Sequence, residues 1–207
     1  MKKLLHIIAA PRGVESRTLR VSAAFLESFR QTHTDWVVEE LDVFEEDLPP
    51  LYVRRVDGRY VLLSGGELFG EMKEAWEGIL YQIDRFKSAD GYLVSTPMWN
   101  YNIPYRLKHY IDLIVQPSYM FIYEGGGVRG LASGRMAVVT SRGGRYISPE
   151  ERKLDFQEPY LRTMFGFIGI TDITFIIAQP MDSGTPDERN AAIEAARVRA
   201  AEAAASF

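Results

Sequence analysis

The sequence predicts an α/β domain with a five-stranded parallel sheet covered by helices on both faces. Short apolar runs alternate along the chain with segments whose apolar residues recur at helical spacing. Such alternation is typical of parallel sheets. The 207 residues suffice for one domain with a full core. We therefore predict a single domain over residues 1–207.

Five runs are predicted as strands. The first, residues 4–10, is almost entirely apolar, as expected for a strand covered on both faces. The second, residues 36–43, alternates and should be less buried. The remaining three are residues 91–94, 136–140 and 173–178.

Helices are predicted between these strands from apolar residues at helical spacing. The stripe of the first helix is Leu19, Ala23, Leu26 and Phe29. Residues 67–87 form a long amphipathic helix, and the helix after the third strand carries Leu107, Tyr110, Ile111 and Ile114.

Two segments carry the start signals of the later helices. Ser148-Pro149-Glu150-Glu151 and Thr185-Pro186-Asp187-Glu188 each place a hydroxyl cap before Pro, with Glu as the capping-box partner. We predict one helix from the first segment to Ile168 and an Ala-rich helix after the second.

Two connections differ from ordinary turns. Residues 47–66 have no clear period and contain Pro49-Pro50, and at about twenty residues they exceed the usual loop length. Their apolar side chains should cover a cofactor or a partner subunit. Residues 117–131 include three consecutive glycines and are predicted to form a hairpin at the rim of the site.

The topology predicts where a ligand binds. Right-handed crossovers and five strands favour the doubly wound, flavodoxin-like strand order 2-1-3-4-5. Ligands of such sheets bind beyond the carboxyl ends of the strands, where the strand order reverses. The loops that converge there are residues 11–18, 96–102 and 141–144.

The first of these loops has the chemistry of a phosphate site. Ser16-Arg17-Thr18 lies where a strand gives way to a helix, whose free N–H groups and positive end favour an anion. Ser16 and Thr18 add hydroxyls, and Arg12 or Arg17 adds charge. The alternative is that Ser16 is only a cap and the arginines are solvated. Neither a Walker loop nor GxGxxG is present.

The second and third loops suit a planar ring. Residues 95–104 hold two large rings and a Met among two Asn and two Pro, which favours a heterocycle that also forms hydrogen bonds, such as a flavin. Ser141-Arg142-Gly143-Gly144 has adjacent glycines, whose N–H groups can approach a ligand and stabilise negative charge. The alternatives are structural turns, the first with its aromatic residues in the core.

Composition excludes several other classes. The net charge of −4 without a basic block argues against nucleic-acid and membrane-surface binding. The absence of Cys excludes disulfides and thiolate chemistry. No apolar run approaches the ~18 residues of a membrane span. The apolar start is too short for a signal peptide and is interrupted by Pro11-Arg12-Gly13. We predict a cytoplasmic protein.

The histidines offer little chemistry. His6 is expected in the core or at the rim, His33 at a helix end, and His109 on the outer face of its helix. They lack metal-ligand spacing, and no HExxH motif is present. Ser141 is not in a GxSxG elbow, which argues against a hydrolase.

Nearly the whole chain resembles the FMN-dependent NADH-azoreductases, flavodoxin-like quinone reductases of bacteria. The resemblance rests on Ser16-Arg17-Thr18, residues 97–102, Leu107-Lys108, Asp112, residues 140–144, Pro159-Tyr160-Leu161 and residues 166–170. It implies a homodimer with one FMN per subunit and both sites at the interface. NADH or NADPH and then a quinone or azo acceptor would bind in turn, with two-electron hydride transfer through FMN.

The resemblance also implies roles for residues. Ser16, Arg17 and Thr18 should hold the phosphate and ribityl end. One side of the ring should be held by Met98, Trp99, Asn100 and Tyr101, and Pro97 and Asn102 of the same loop are further candidates for cofactor binding. The other side should be held by Ser141, Arg142, Gly143 and Gly144. No catalytic side chain is implied, since the flavin carries the chemistry.

The chain departs from the pattern at two positions. Many members have Ser where this chain has Ala10, so one phosphate contact is expected either to be lost or to be taken over by Arg12. Trp99 stands where Tyr is common. Phe121, Tyr123 and residues 47–66 fall where the family shapes its substrate pocket. The alternatives are a flavodoxin-type electron carrier without turnover and a relative that has lost its flavin and acts as a regulator.

Overall fold

The computed structural model describes all residues from 1 to 207. The elements in chain order are β1 (Lys2–Ile8), α1 (Arg17–Thr32), β2 (Trp36–Asp42), α2 (Val53–Leu63), α3 (Gly70–Lys87), β3 (Gly91–Ser95), α4 (Tyr105–Ile114), β4 (Phe121–Glu124), β5 (Gly127–Gly130), β6 (Arg135–Ser141), α5 (Pro149–Arg152), α6 (Gln157–Phe167), β7 (Ile173–Ala178) and α7 (Pro186–Ala205). None of these helices is long and apolar enough to cross a bilayer.

Five parallel strands form the main sheet, in the order β2-β1-β3-β6-β7. This confirms the predicted parallel sheet. With the two hairpin strands left out of the count, the order is consistent with the predicted 2-1-3-4-5. β1 pairs with β2 on one side and with β3 on the other, so the order in which strands are added to the sheet reverses at β1.

Two apolar layers cover the sheet. Successive residues of a strand point to opposite faces, so Leu4 packs with α1 and α7 while Leu5 packs with α3, α4 and α6. α7 contributes small side chains such as Ala196 and Ala200, which let it lie close to α1. All five residues of β3 are buried, as the predicted apolar run requires.

The first helix shows a shifted apolar face. Its buried side chains include Val21, Phe25 and Phe29, whereas Leu19 is half buried and Ala23 is exposed. The predicted stripe was therefore wrong at Leu19 and Ala23. β1 begins and ends earlier than predicted, although Ala9 and Ala10 remain buried beyond it.

The prediction that residues 47–66 lack regular structure was wrong, since they contain α2. Only Gly58 and Leu62 of this helix are buried, so few apolar contacts attach it to the core. Polar bonds hold it instead. The Arg55 side chain donates to the carbonyls of Ala75 and Pro50 at 2.7 and 2.6 Å, and Trp76 Nε1 donates to the Arg55 carbonyl at 3.0 Å.

The helix predicted from residue 149 to Ile168 is two helices, α5 and α6. Asp155 interrupts it, because its Oδ1 accepts the N–H groups of Gln157 and Glu158, both at 3.1 Å, and so starts a new helix. The Ser148 and Thr185 capping boxes are both confirmed. The predicted hairpin is also confirmed, as β4 and β5.

Candidate functional site

A cavity of about 180 Å³ lies at the carboxyl edge of the sheet, between the loops that follow β1, β3 and β6. Ten predicted site residues line it, and these are Ala10, Arg12, Ser16, Arg17, Thr18, Pro97, Met98, Trp99, Ser141 and Gly143. The structure adds three more, Pro11, Met181 and Asp182. Met181 and Asp182 follow β7, so the topology could have indicated this fourth loop.

The start of α1 forms one wall of this cavity. Ser16 is its N-cap, and its Oγ accepts the N–H of Leu19 at 3.2 Å. The first turn of a helix leaves further N–H groups without intrahelical partners, here those of Arg17 and Thr18, at the positive end of the helix dipole. The cap and the anion-site interpretations of Ser16 are therefore compatible.

The two arginines of this wall differ in whether their charge is paired. Arg17 Nη1 donates to the Met181 carbonyl at 2.6 Å and to Asp182 Oδ1 at 2.8 Å, so its charge already has a partner. Arg12 is exposed and has no ion pair in the structure. Arg12 is therefore the uncommitted cation of the cavity.

The turn after β3 is a tight hairpin of its own. Trp99 and Asn102 exchange both backbone hydrogen bonds, at 2.8 and 2.9 Å. The residues between them, Asn100 and Tyr101, have φ of 47° and 66°. This is the pattern of a type I′ turn, which Asn accepts readily and Tyr does not. Such strain persists only where surrounding contacts hold it, and it is commonest at functional sites.

This turn presents its rings at the rim. The side chains of Trp99 and Tyr101 are 38% and 48% exposed. Phe44 packs edge-on against Trp99, with ring centroids 6.0 Å apart. Asn100, Tyr101 and Asn102 themselves lie outside the lining of the cavity.

Several bonds fix the turn to the neighbouring loops. The Met98 N–H donates to the Ser141 carbonyl at 2.9 Å. Gln157 is fully buried and donates to the Pro97 carbonyl at 3.0 Å while accepting from Thr140 Oγ1 at 2.8 Å. The loops after β3 and β6 thus form one connected wall.

The glycines after β6 leave free donors beside the cavity. The Gly143 carbonyl accepts the N–H groups of Met181, Asp182 and Ser183, at 3.1, 2.9 and 3.1 Å. A Cβ at Gly143 would lie 2.6 Å from Asp182 Oδ2, so a larger residue there would displace the Asp182 carboxylate. The N–H groups of Gly143 and Gly144 make no hydrogen bond within the chain. They are available to a ligand.

Arg142 points elsewhere. The residue is 1% exposed, and Nη1 donates to Asp155 Oδ2 at 2.8 Å. It lines a separate cavity of about 550 Å³ with Tyr146, Glu158 and Arg162. Its N–H is also used, donating to the Ala178 carbonyl at 3.0 Å. The structure therefore does not bring Arg142 to the cavity of the three loops, and Gly144 also lies outside its lining.

The two predicted substrate-pocket residues lie on the hairpin, away from that lining. Phe121 is buried and packs on Phe167 and Tyr123, with ring centroids 4.7 and 5.8 Å away. Tyr123 is exposed. Their role in a substrate pocket stays a prediction.

The histidines occupy structural positions. His6 is buried in β1 as predicted, and His33 caps the end of α1. His109 was predicted on an outer face but is half buried, with Nε2 3.0 Å from the Pro49 carbonyl oxygen. No group of His, Asp and Glu side chains is arranged to hold a metal ion.

Comparison with known proteins gives a consistent result. A family model described as flavodoxin-like fold matches residues 2–204. A protein of Nitratidesulfovibrio vulgaris named FMN-dependent NADH:quinone oxidoreductase is 40% identical over 209 residues, covering 98% of this chain and 100% of that protein. A protein of the same name from Ruegeria pomeroyi is 37% identical over 87% of this chain and 90% of that protein.

Solved structures agree. The azoreductase from Bacillus anthracis str. Sterne superposes with a TM-score of 0.90 at 28% identity, over 100% of both chains. An FMN-dependent NADH-azoreductase from Bacillus anthracis str. Ames Ancestor, solved in complex with FMN, gives 0.85 at 28% identity, over 99% of this chain and 100% of that one.

We predict that Arg142→Met destabilises the fold by about 1–3 kcal/mol, because Asp155 Oδ2 loses its charged partner while the carboxylate stays largely shielded from water. The measurement is urea unfolding of the chain without added ligand. Arg152→Met is the matched control, since Arg152 lines the same cavity but is exposed and has no ion pair. Equal midpoints for the two variants would show that the buried pair has no such role.

We also predict that His6 makes stability depend on pH. Burial, with a smaller contribution from the positive charge of Arg30, lowers the pKa of His6 from 6.5 to about 3. Between those values the unfolded chain binds a proton that the folded chain excludes, so stability falls as pH falls. The expected loss is roughly 1.4 kcal/mol per pH unit below 6.5, and none above it.

The measurement is urea unfolding from pH 7.5 to 5, compared with His6→Gln, which does not titrate there. The wild type should lose stability more steeply than the variant. Parallel curves would contradict the assignment.

Proposed function

We propose that this chain, which belongs to the family with the flavodoxin-like fold, is an FMN-dependent NAD(P)H oxidoreductase that reduces quinones and azo compounds. It is an oxidoreductase with FMN as its cofactor, as its relatives' names indicate. We propose that residues 1–207 form one FMN-binding domain, in keeping with the family match over residues 2–204.

The observation that carries this proposal is the set of donors around the cavity. The N-terminus of α1, the Ser16–Thr18 segment and the uncommitted Arg12 suit a phosphate, as helix starts commonly do. Next to them stand Gly143, whose N–H is free, and the exposed rings of the Trp99 turn. An anion donor set beside an aromatic wall fits a flavin mononucleotide.

The fit assigns parts of the cofactor to residues. Ser16, Thr18 and Arg12 would hold the phosphate. Met98 and Trp99 would contact the ring from one side. The cavity of about 180 Å³ is smaller than the roughly 300–1,000 Å³ of pockets that enclose a whole ligand. It suits the phosphate end and leaves the rim to carry the ring.

FMN, when bound, supplies hydride transfer between NADH or NADPH and the acceptor. The residues of the chain orient and stabilise. The Gly143 and Gly144 N–H groups would stabilise negative charge on the ring, and Trp99 would limit access of water. No acidic or basic side chain lines the cavity except the two arginines and Asp182, of which Arg17 and Asp182 are paired with each other. A side-chain proton donor is not needed.

We propose that the enzyme is a homodimer working in the cytoplasm. The support is the number of exposed apolar side chains at the rim and on the α2 side, among them Tyr52, Val53, Tyr60, Phe69 and Tyr105. Exposed apolar patches mark interaction surfaces. In this arrangement α2, Phe121 and Tyr123 would shape the pocket of the other subunit.

The second candidate is an electron carrier without turnover. It shares the fold and the cofactor, so the cavity alone does not separate the two. The relatives' names favour the enzyme, because the two proteins named FMN-dependent NADH:quinone oxidoreductase align with this chain over 100% and 90% of their own length.

We predict that the purified chain is yellow and consumes NADH or NADPH steadily when a benzoquinone is added. Varying both substrates should give parallel reciprocal plots, because the nicotinamide and the acceptor would occupy the same face in turn. A single stoichiometric reduction without turnover would instead identify a carrier. A colourless chain that oxidises neither nicotinamide would refute the proposal.

We further predict that Arg12→Ala weakens FMN binding about tenfold, equivalent to about 1.4 kcal/mol, because it removes the free cation beside the phosphate site. The affinity for riboflavin, which lacks the phosphate, should not change. Arg20→Ala is the matched control, since Arg20 is exposed on α1, has no ion pair and lies outside the cavity lining. Fluorescence titration of the flavin measures all six affinities. Equal losses for FMN and riboflavin would contradict a phosphate contact.

A further inference from the structure

We propose that His6, Ser95 and Ser22 are positioning residues, joined in a one-way hydrogen-bond chain that fixes the first turn of α1 at the anion end of the cavity. The inference rests on the proposed function, because the group that this turn of α1 would bind is the FMN phosphate. None of the three residues lines the cavity. They act through Thr18, which does.

The chain of bonds is short and fully buried. His6 Nε2 lies 2.7 Å from Ser95 Oγ, and Ser95 Oγ lies 2.6 Å from Ser22 Oγ. Ser22 Oγ donates to the Thr18 carbonyl at 3.1 Å. All four residues are at most 2% exposed. The chain runs from β1 through β3 to α1.

Counting protons gives the chain a direction. Each serine hydroxyl has one hydrogen to donate. Ser22 uses its hydrogen on the Thr18 carbonyl, so Ser95 must be the donor in the bond between the two serines. Ser95 then has no hydrogen left for His6, and His6 must donate from Nε2. The direction is His6 to Ser95 to Ser22 to Thr18.

This direction determines the tautomer of His6. Nε2 carries the proton and Nδ1 is bare. Nδ1 is buried and has no hydrogen-bond partner in the structure. A proton on Nδ1 would be a buried donor without an acceptor, which is costly. Burial also lowers the pKa of His6, in keeping with a neutral ring.

Thr18 is the residue that this chain places. Its carbonyl is held by Ser22, and its Oγ1 lies 2.7 Å from Oγ of Ser141 at the end of β6. Thr18 is thus tied to β1 and β3 through its backbone and to β6 through its side chain. Its own N–H belongs to the first turn of α1, where an anion would bind.

A cluster of buried polar side chains is not what packing alone favours. A hydroxyl in an apolar setting costs free energy unless it is hydrogen-bonded, and small apolar residues fill the same space. Here the cluster lies directly behind the anion end of the cavity. Small misplacements of binding groups have large effects on function. This location connects the cluster to ligand positioning.

The first test compares two flavins. Ser22→Ala removes the hydroxyl donor from the Thr18 carbonyl and breaks the chain to Ser95, while the helical bond from the Ser22 N–H stays. We expect about a tenfold weaker affinity for FMN with less than a twofold change for riboflavin, measured by fluorescence titration of the full chain freed of flavin. Ser28→Ala is the matched control, because Ser28 is on the same helix and donates to the Ala201 carbonyl at 2.9 Å, away from the cavity. It should leave both affinities unchanged.

An equal loss for both flavins, or no loss for FMN, would overturn the positioning role. A merely structural role would weaken both ligands alike. His6→Gln keeps a donor near the Nε2 position and should retain most of the FMN affinity, whereas His6→Leu should not.

The second test reads the tautomer directly. Nitrogen NMR of the imidazole at pH 7, without flavin, should show a protonated Nε2 and a bare Nδ1, and the Ser95→Ala variant should lose that preference. A protonated Nδ1 in the wild type would overturn the direction of the chain. This test needs no cofactor. If the protein binds no flavin, the proposed function is refuted, and NMR still decides the direction of the hydrogen-bond chain.

Discussion

The pairing of β1 with β3 is the constraint on which the site depends. Ile8 lies opposite Ser95, and the Ala9 N–H continues the ladder to the Ser95 carbonyl at 2.8 Å. The two strands are therefore held together up to the points where they end. From there the chain leaves β1 toward α1 and leaves β3 toward α4, on the opposite face, which opens a crevice between the two loops. The polar chain of His6, Ser95 and Ser22 sits on this pairing, so strand register and the position of the first turn of α1 are set by the same contacts.

Charge at the site is controlled by pairing as much as by residue type. Three arginines belong to the loops that a phosphate or a ring would contact. Asp182 forms an ion pair with Arg17, and Asp155 forms one with Arg142, so Arg12 is the one arginine of the three without an ion pair. The positive field of the cavity then comes mainly from one side chain, Arg12, and from the start of α1, both of which belong to the cavity lining. A modest, localised field suits a cofactor with a single phosphate better than one with several.

The fold and most of the site could be predicted from the sequence, because both follow from local patterns. Alternating strands and helices determine the location of the crevice, and the loops that line it can be read from the ends of the strands. The capping boxes at Ser148 and Thr185 are equally local. The features that could not be predicted depend on contacts between residues that are far apart in the sequence. α2 buries only Gly58 and Leu62 and is attached largely by hydrogen bonds to α3, whose partners cannot be identified from the sequence of α2 itself. The direction of the Arg142 side chain depends on Asp155, whose second oxygen starts α6.

The strained turn after β3 has a consequence for how substrates are selected. Asn100 and Tyr101 keep positive φ because their neighbours are anchored, through Met98 to Ser141, through Pro97 to Gln157, and through the Tyr101 carbonyl, which accepts the Phe156 N–H at 3.1 Å. These anchors come from two different elements, β6 and the start of α6. A wall held in this way is preorganised and does not need to rearrange when a ring is placed against it. In the homodimer proposed above, selection among acceptors would then come from the open side that faces this wall, where the second subunit would bring α2 and the hairpin.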